Sequence, residues 1–245
     1  ERSGGRSQSV TLTRRRFRIW SVNDLRMVSG TDVGYLNLSQ FSQTSTQEVD
    51  EALQKLYRSG MKSLILDLRG NPGGLLTTCV QITNRFLPCG TIVSTRGRLS
   101  DDNMHESATY TRTWNTPLVV LVNEDSASAS EIFAAAIKDT KRGKLIGSRS
   151  YGKGSVQGIF SLGHAGTGIR LTTAKFFSPH DRPISKFGVH PDIDIRRATQ
   201  TISGQVDGNK QYAAGYRGIE DIPQSDVSFA NVSSGSLDTV TADTT

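Results

Sequence analysis

Two short apolar runs, each leading through a turn of small residues into a helical pattern, constrain the fold of this chain most strongly. Residues 118–122 are all Leu or Val, and residues 63–66 are nearly as apolar. Runs without polar alternation are typical of strands that are buried on both faces. Because helical patterns separate the strands, the sequence predicts an α/β architecture with a largely buried sheet.

The clearest helical pattern lies between a shorter predicted strand at residues 35–38 and the run at 63–66. Its apolar residues recur at intervals of three and four, at Val49, Ala52, Leu53, Leu56 and Tyr57. This spacing predicts an amphipathic helix. Ser45 and Glu48 have the spacing of a capping box at its start, and Gly60 suits its end.

The chain divides into three zones. Residues 1–29 contain alternating apolar residues and predict an N-terminal segment of one or two strands. Residues 30–200 hold the dense strand and helix pattern of the main domain, in which the polar stretch 99–115 predicts a mobile loop. Residues 201–245 are rich in Ser, Thr, Asp and Gly, so we expect a polar, loosely ordered tail.

Composition and charge exclude several classes of protein. No apolar run reaches the length of about 18 residues that a membrane helix needs. Two cysteines and four histidines without an HExxH pattern give no metal site. The net charge of +6 owes much to N-terminal arginines such as those at 14–16. We interpret these as a solvated strand edge rather than a nucleic-acid site, because lysine and arginine commonly protect exposed strand edges.

The first stretch that could carry chemistry is 123–131, where a predicted central strand ends and a helix begins. A helix start offers free backbone N–H groups and a positive dipole end, which suit a developing oxyanion. Ser126, Ser128 and Ser130 could each be a nucleophile there. Taken alone, the stretch is better explained by small residues that cap and pack the helix start.

The second stretch, 147–154, nearly matches a phosphate-binding loop. Gly154 replaces the hydroxyl residue of that motif, and the following sequence alternates like a strand where the motif requires a helix. The nucleotide interpretation is therefore rejected. Lys153 and Gln157 share a period-2 face and could point into one pocket. A lysine serves as a base only where burial lowers its pKa, and an isolated lysine is normally a solvated surface cation.

The third stretch is the turn 67–74, where Gly73 and Gly74 would let backbone amides approach a ligand. An ordinary strand-to-helix turn explains it equally well.

No G-x-S-x-G elbow occurs, and all four histidines are assigned surface or structural roles. Cys79 and Cys89 could pair in an oxidising compartment, although two free thiols are favoured.

Taken in order, residues 64–74, 122–131, 151–157 and 188–192 resemble conserved blocks of the carboxy-terminal processing proteases, or tail-specific proteases, of peptidase family S41. The resemblance runs from about Gly34 to Ile195. It implies a crotonase/ClpP-like ββα spiral core. It also implies that residues 1–29 include the end of a truncated PDZ domain and that residues 30–200 form the catalytic domain.

The resemblance implies a serine–lysine dyad that needs no metal or cofactor. Ser128 would be the nucleophile, Lys153 the base, and Gln157 the residue that orients the lysine. The oxyanion hole would use the amide of Ala129 with that of Gly73 or Gly74. Asp125 stands where many family members have glycine, a change that the site is expected to tolerate.

The implied activity is an endopeptidase that cleaves proteins near accessible C-terminal tails through an acyl-enzyme. The resemblance also implies an extracytoplasmic location, such as a periplasm or lumen, and leaves oligomerisation open. Three alternatives remain at this point. They are a catalytically silent peptide-binding or scaffold module, nucleic-acid binding through the N-terminal arginines, and a crotonase-type acyl-thioester enzyme.

Overall fold

The structure, a computed structural model, describes residues 19–109, 112–163 and 167–195. The predictions for the strands before residue 19 and for the polar tail 201–245 lie outside these residues.

Helices separate several of the strands in the described chain. In order the strands and helices are β1 Val22–Met27, β2 Val33–Leu38, α1 Ser45–Arg58, β3 Ser63–Asp67, α2 Leu76–Thr83, β4 Thr91–Gly97, β5 His105–Ser107, β6 Leu118–Val122, α3 Ala129–Asp139, β7 Lys144–Gly147, β8 Ser155–Ser161, β9 Gly168–Phe177 and β10 Ile193–Asp194. The predicted α/β architecture is confirmed.

A six-stranded sheet in the order β1-β2-β3-β6-β7-β10 forms the centre of the fold. All its neighbours are parallel except β1, which runs antiparallel to β2. The two apolar runs are the adjacent strands β3 and β6, with Leu66 beside Val120. Because parallel strands end at the same edge, the turns after β3, β6 and β7 meet there. Through β1, the sheet also takes in residues 22–27 of the predicted N-terminal segment.

A second, antiparallel sheet has the order β5-β4-β9-β8. Its edge strand β5 and a 3₁₀ turn at Ser100–Asp102 lie inside the stretch 99–115, where we expected only a loop. That prediction is wrong because β4 supplies the order that the polar sequence lacks. The Thr95 hydroxyl donates to the carbonyl of Asp102 and accepts from the amide of Met104 at 2.8 Å.

Helix α3 lies between the two sheets and is almost entirely buried. It contacts β7 of the first sheet and β4 of the second, and it packs on α2, which in turn packs on α1. The ring of Phe133 on α3 meets that of Phe86 edge to face, with centroids 5.8 Å apart. The hydrophobic core therefore surrounds the helix that begins at the serine run and fixes its first turn firmly.

The start of α1 differs from the predicted capping box. Ser45 is the first helical residue, and its hydroxyl accepts from the amide of Ser42 at 2.7 Å. The carboxylate of Glu48 instead accepts from the amide of Ser21 at 2.6 Å. A local motif could not reveal this pairing, because Ser21, just before β1, lies 27 residues from Glu48 in the sequence. The predicted end is confirmed, since Gly60 follows the helix with φ +90°.

Candidate active site

The turn after β3 is anchored by two buried polar residues, Asp67 and Asn71. The carboxylate of Asp67 accepts from the Tyr35 hydroxyl at 2.6 Å and from Arg69 Nη2 at 2.7 Å. Burial, with help from the hydrogen bond to Asp67, raises the pKa of Tyr35 to about 12. These contacts hold the beginning of the turn in one conformation.

Asn71 connects this turn to the serine run. Its Nδ2 donates to the carbonyl of Leu38 at 2.8 Å, and its Oδ1 accepts from the amide of Gly73 at 2.8 Å. Its own carbonyl accepts from the amide of Ala127 at 3.0 Å and from the Ser130 hydroxyl at 2.9 Å. The glycine turn is therefore docked against the start of α3.

The backbone of Gly73 touches the serine run directly. Its φ is +101°, and a Cβ built there would lie 2.8 Å from the Cβ of Ser128 and 2.9 Å from the amide nitrogen of Ala129. The Gly73 amide already donates a hydrogen bond to Asn71 Oδ1. Gly74 is therefore the better oxyanion-hole candidate of the two. Its amide has no hydrogen-bond partner among the described residues.

The three serines of the run have different surroundings. Ser126 and Ser130 are fully buried, and their hydroxyls donate to the carbonyls of Leu68 and Asn71. Ser128 is only partly buried. The structure thus separates one accessible serine from two that serve packing, which the sequence alone could not do.

Ser128 has a strained backbone at the junction between β6 and α3. Its φ of 57° and ψ of −114° lie in a region that residues other than glycine rarely occupy. Such strain costs about 1–3 kcal/mol and concentrates at functional sites. The next residue, Ala129, opens α3, and its amide has no partner within the described part of the chain. A free amide thus follows the accessible serine.

Lys153 lies in the loop before β8, two residues ahead of the strand. The strand that follows this loop confirms the rejection of a phosphate-binding loop. The argument that Lys153 and Gln157 share one strand face is wrong, because Lys153 precedes the strand and a bulge shifts the register between Val156 and Gln157. Both side chains are exposed. In the described chain no hydrogen bond joins Lys153 Nζ to Ser128 Oγ or to Gln157.

Sequence reasoning missed Glu131, which is completely buried in the first turn of α3. Its Oε2 accepts from the amides of Ser128 at 2.9 Å and Lys153 at 2.8 Å. Its Oε1 accepts from the amide of Gly152 and from the Ser150 hydroxyl, both at 2.6 Å. The available signal was the S-x-x-E spacing from Ser128, in which the glutamate accepts a hydrogen bond from the amide of the N-cap residue.

Other candidate residues lie apart from this cluster. Asp125 is exposed and contacts Asn123. His105 lies on β5 beside Thr91, and His180 pairs with Asp139.

Cys79 and Cys89 are both free thiols, which is the alternative that the sequence favoured. Burial raises the pKa of Cys79 to about 12. No helix within the described residues is long and apolar enough to cross a membrane.

Comparison with known proteins identifies the family. The profile of peptidase family S41 matches residues 32–195. The chain is 40% identical over 205 residues to a carboxy-terminal-processing protease of Bartonella bacilliformis, covering 77% of this chain and 47% of that protein. It is 42% identical over 189 residues to a carboxyl-terminal-processing protease of Synechocystis sp., covering 76% of this chain and 43% of that protein.

A solved structure agrees with these sequence matches. The photosystem II D1 C-terminal processing protease superposes with a TM-score of 0.61 at 36% identity, over 66% of this chain and 42% of that one. This chain belongs to peptidase family S41, which confirms the resemblance seen in the sequence. It spans less than half of the length of these three relatives.

Proposed function

We propose that this chain is the catalytic part of a serine endopeptidase that cleaves proteins near their C-termini. The observation that carries the proposal is the surroundings of Ser128, a strained and accessible serine that lies against Gly73 and is followed by the free amide of Ala129. Relatives named as carboxy-terminal processing proteases supply the substrate class.

The proposed reaction begins with Ser128 Oγ, which attacks the carbonyl carbon of the scissile peptide bond. Neutral Lys153 accepts the hydroxyl proton as the new C–O bond forms. The amides of Ala129 and Gly74 would donate to the resulting oxyanion, usually the largest single contribution to such catalysis. The protonated lysine then donates to the leaving amine, the C–N bond breaks, and water hydrolyses the acyl-enzyme.

Lys153 must change its surroundings for this chemistry. An ammonium group has no lone pair, so only the neutral amine can accept the proton of Ser128. We expect a bound peptide to cover the exposed lysine, exclude water from it and bring its Nζ to the Ser128 hydroxyl. Gln157, on the strand that follows, is proposed to orient the amine in this closed state.

The wider assignments extend from the family. We propose that the two sheets and three helices form a crotonase/ClpP-like spiral, that residues 30–200 form the catalytic domain together with β1, and that the N-terminal segment 1–29 includes the end of a PDZ domain before β1. Such a domain would capture substrate tails by strand addition. The proposed location is extracytoplasmic, in a compartment such as a periplasm or lumen, and the proposed partners are proteins with accessible C-terminal tails.

A second candidate function is a silent peptide-binding module of the same fold. The observation that favours it is the exposed Lys153, which makes no hydrogen bond to Ser128 within the described residues. Such a module would bind C-terminal peptides and leave them intact. The two functions differ in whether peptide bonds are cleaved.

The test is a cleavage assay on an unfolded protein with an apolar C-terminal tail, read by intact mass. We expect the parent chain to shorten the substrate, and Ser128→Ala and Lys153→Ala to lose this activity. Ser100→Ala and Lys144→Ala, at exposed positions away from the site, are the matched controls. Binding of the tail peptide without cleavage by the parent chain would instead support the silent module.

A further inference from the structure

We propose that Glu131 is the positioning residue that sets the separation between Ser128 and Lys153. This inference rests on the proposed function, because it assigns Glu131 a role in the same site. Nothing in the reaction requires Glu131 to touch the substrate. Its effect would come entirely through the backbone of the two residues that do.

The geometry is specific to one atom. Glu131 Oε2 accepts from the amide of Ser128 at 2.9 Å and from that of Lys153 at 2.8 Å. The two catalytic candidates, 25 positions apart in sequence, are therefore held by one oxygen. A second link between the loops, from the amide of Tyr151 to the carbonyl of Ser126 at 3.0 Å, involves neither candidate.

The carboxylate is completely buried, and no lysine or arginine pairs with it in the described residues. A buried charge of this kind is stable only where hydrogen bonds replace its hydration. The four donors on Ser128, Ser150, Gly152 and Lys153 provide that replacement. Removing the carboxylate would leave these donors without their acceptor and release both loops together.

Both loops depend on this anchor. Ser128 has a strained φ of 57°, which the hydrogen bond from its amide to the Glu131 carboxylate helps to maintain. Gly152 has a φ of +91°, a conformation that glycine adopts without strain, and its amide donates to Glu131 at 2.6 Å. The Ser150 hydroxyl, which donates to Glu131, also accepts a hydrogen bond from the amide of Val189 at 2.7 Å. The block at 188–192 therefore reaches the site through Glu131.

Glu48 provides a matched control. It is also a buried glutamate in the first turn of a helix, and its carboxylate accepts from the amides of Ser21 and Val22 and from the Thr44 hydroxyl. These contacts are remote from Ser128. A stability effect of losing a buried carboxylate should appear at both positions, whereas a positioning effect should appear only at Glu131.

The kinetic test compares Glu131→Ala with Glu48→Ala in the cleavage assay. A displacement of about 1 Å between reacting groups costs about 100-fold in rate. We therefore expect Glu131→Ala to lower kcat about 100-fold with little change in KM, while Glu48→Ala lowers the melting temperature and leaves kcat within about threefold. Equal kcat values for the two folded variants would overturn the proposal.

Glu131→Gln serves if the alanine variant does not fold. Its amide can turn so that the oxygen still bridges Ser128 and Lys153 while the NH₂ faces Ser150 and Gly152, which leaves the Ser150 hydroxyl proton and the Gly152 amide without their acceptor. We expect kcat to fall by about 10-fold, less than in the alanine variant. A loss no larger than that of Glu48→Gln would overturn the proposal.

Amide hydrogen exchange tests the bridge independently of activity. We expect the Ser128 and Lys153 amides to be protected in the parent chain and Glu48→Ala, and to exchange rapidly in Glu131→Ala. Rapid exchange of both in the parent chain would overturn the positioning role. Protection in a parent chain that cleaves nothing would mean that the proposed function fails while the bridge itself stands.

Discussion

Gly73 packs against Ser128 so closely that a Cβ on Gly73 would lie 2.8 Å from that of Ser128. The contact joins the turn after β3 to the turn after β6, two segments that neighbouring parallel strands deliver to the same edge of the sheet. The space beside the proposed nucleophile is therefore lined by backbone, whose amides can face an oxyanion.

Replacing Gly73 by alanine should strongly reduce cleavage. The new methyl group would meet the backbone of Ala127 and Ala129 at less than 3 Å, and φ would remain at +101°. We expect a loss of about 100-fold or more in kcat/KM, together with reduced stability.

Gly90→Ala is the control that separates the effect of backbone strain from the effect of the steric clash at Gly73. Gly90 has a similar φ of +92°, but a Cβ there meets nothing within 4 Å. It should cost about 1 kcal/mol of stability and leave kcat/KM unchanged. Equal activity losses in both variants would contradict the contact-based account.

Asn71→Ala should destabilise the chain and reduce activity. It removes the acceptor of the Gly73 amide and the donor to the Leu38 carbonyl, and leaves both buried groups unpaired. We expect a loss of about 2–4 kcal/mol in the free energy of unfolding, measured in urea. The exposed Asn103, whose side chain accepts from the amide of Gly97, is the control. A smaller loss at Asn71 than at Asn103 would refute this interpretation.

The two cysteines should react very differently. Burial raises the pKa of Cys79 to about 12, while Cys89 is exposed. Since the thiolate is the reactive form, a thiol reagent at about pH 8 should label one cysteine in the native chain and two after unfolding. Cys89→Ser should abolish native labelling. Rapid labelling of Cys79 in that variant, without unfolding, would contradict the burial.

Tyr35 should make stability fall at alkaline pH. Its pKa is raised from 10.0 to about 12 on folding, so its contribution is complete below pH 10 and is lost as the pH rises toward 12. Tyr35→Phe should therefore flatten the pH dependence of urea unfolding in that window. The exposed Tyr57, changed to Phe, is the control. An unchanged slope in Tyr35→Phe would count against the part-buried hydrogen bond to Asp67.

Local sequence patterns predicted the features that depend on local physics. The apolar runs became the central strands β3 and β6, and the i, i+3, i+4 spacing became α1, because burial periodicity is visible in sequence. The pattern also brought forward Ser128, Lys153 and Gly73 as candidates.

The missed features depend on contacts between distant segments. Strand β5 exists because β4 pairs with it, and Glu48 binds β1 rather than capping α1. The role of Glu131 was hidden for the same reason, since Lys153 reaches it only in the folded chain. The choice between Gly73 and Gly74 required knowing that the Gly73 amide donates a hydrogen bond to the Asn71 side chain.

The most direct test of the account is to identify the residue that becomes acylated. A peptide p-nitrophenyl ester would be mixed with excess parent chain, quenched in acid within milliseconds, and the intact mass and digest of the chain would be measured. The account predicts an increase equal to the acyl fragment, mapped to Ser128 and missing in Ser128→Ala. An adduct on another residue, or one that persists in Ser128→Ala, would contradict it.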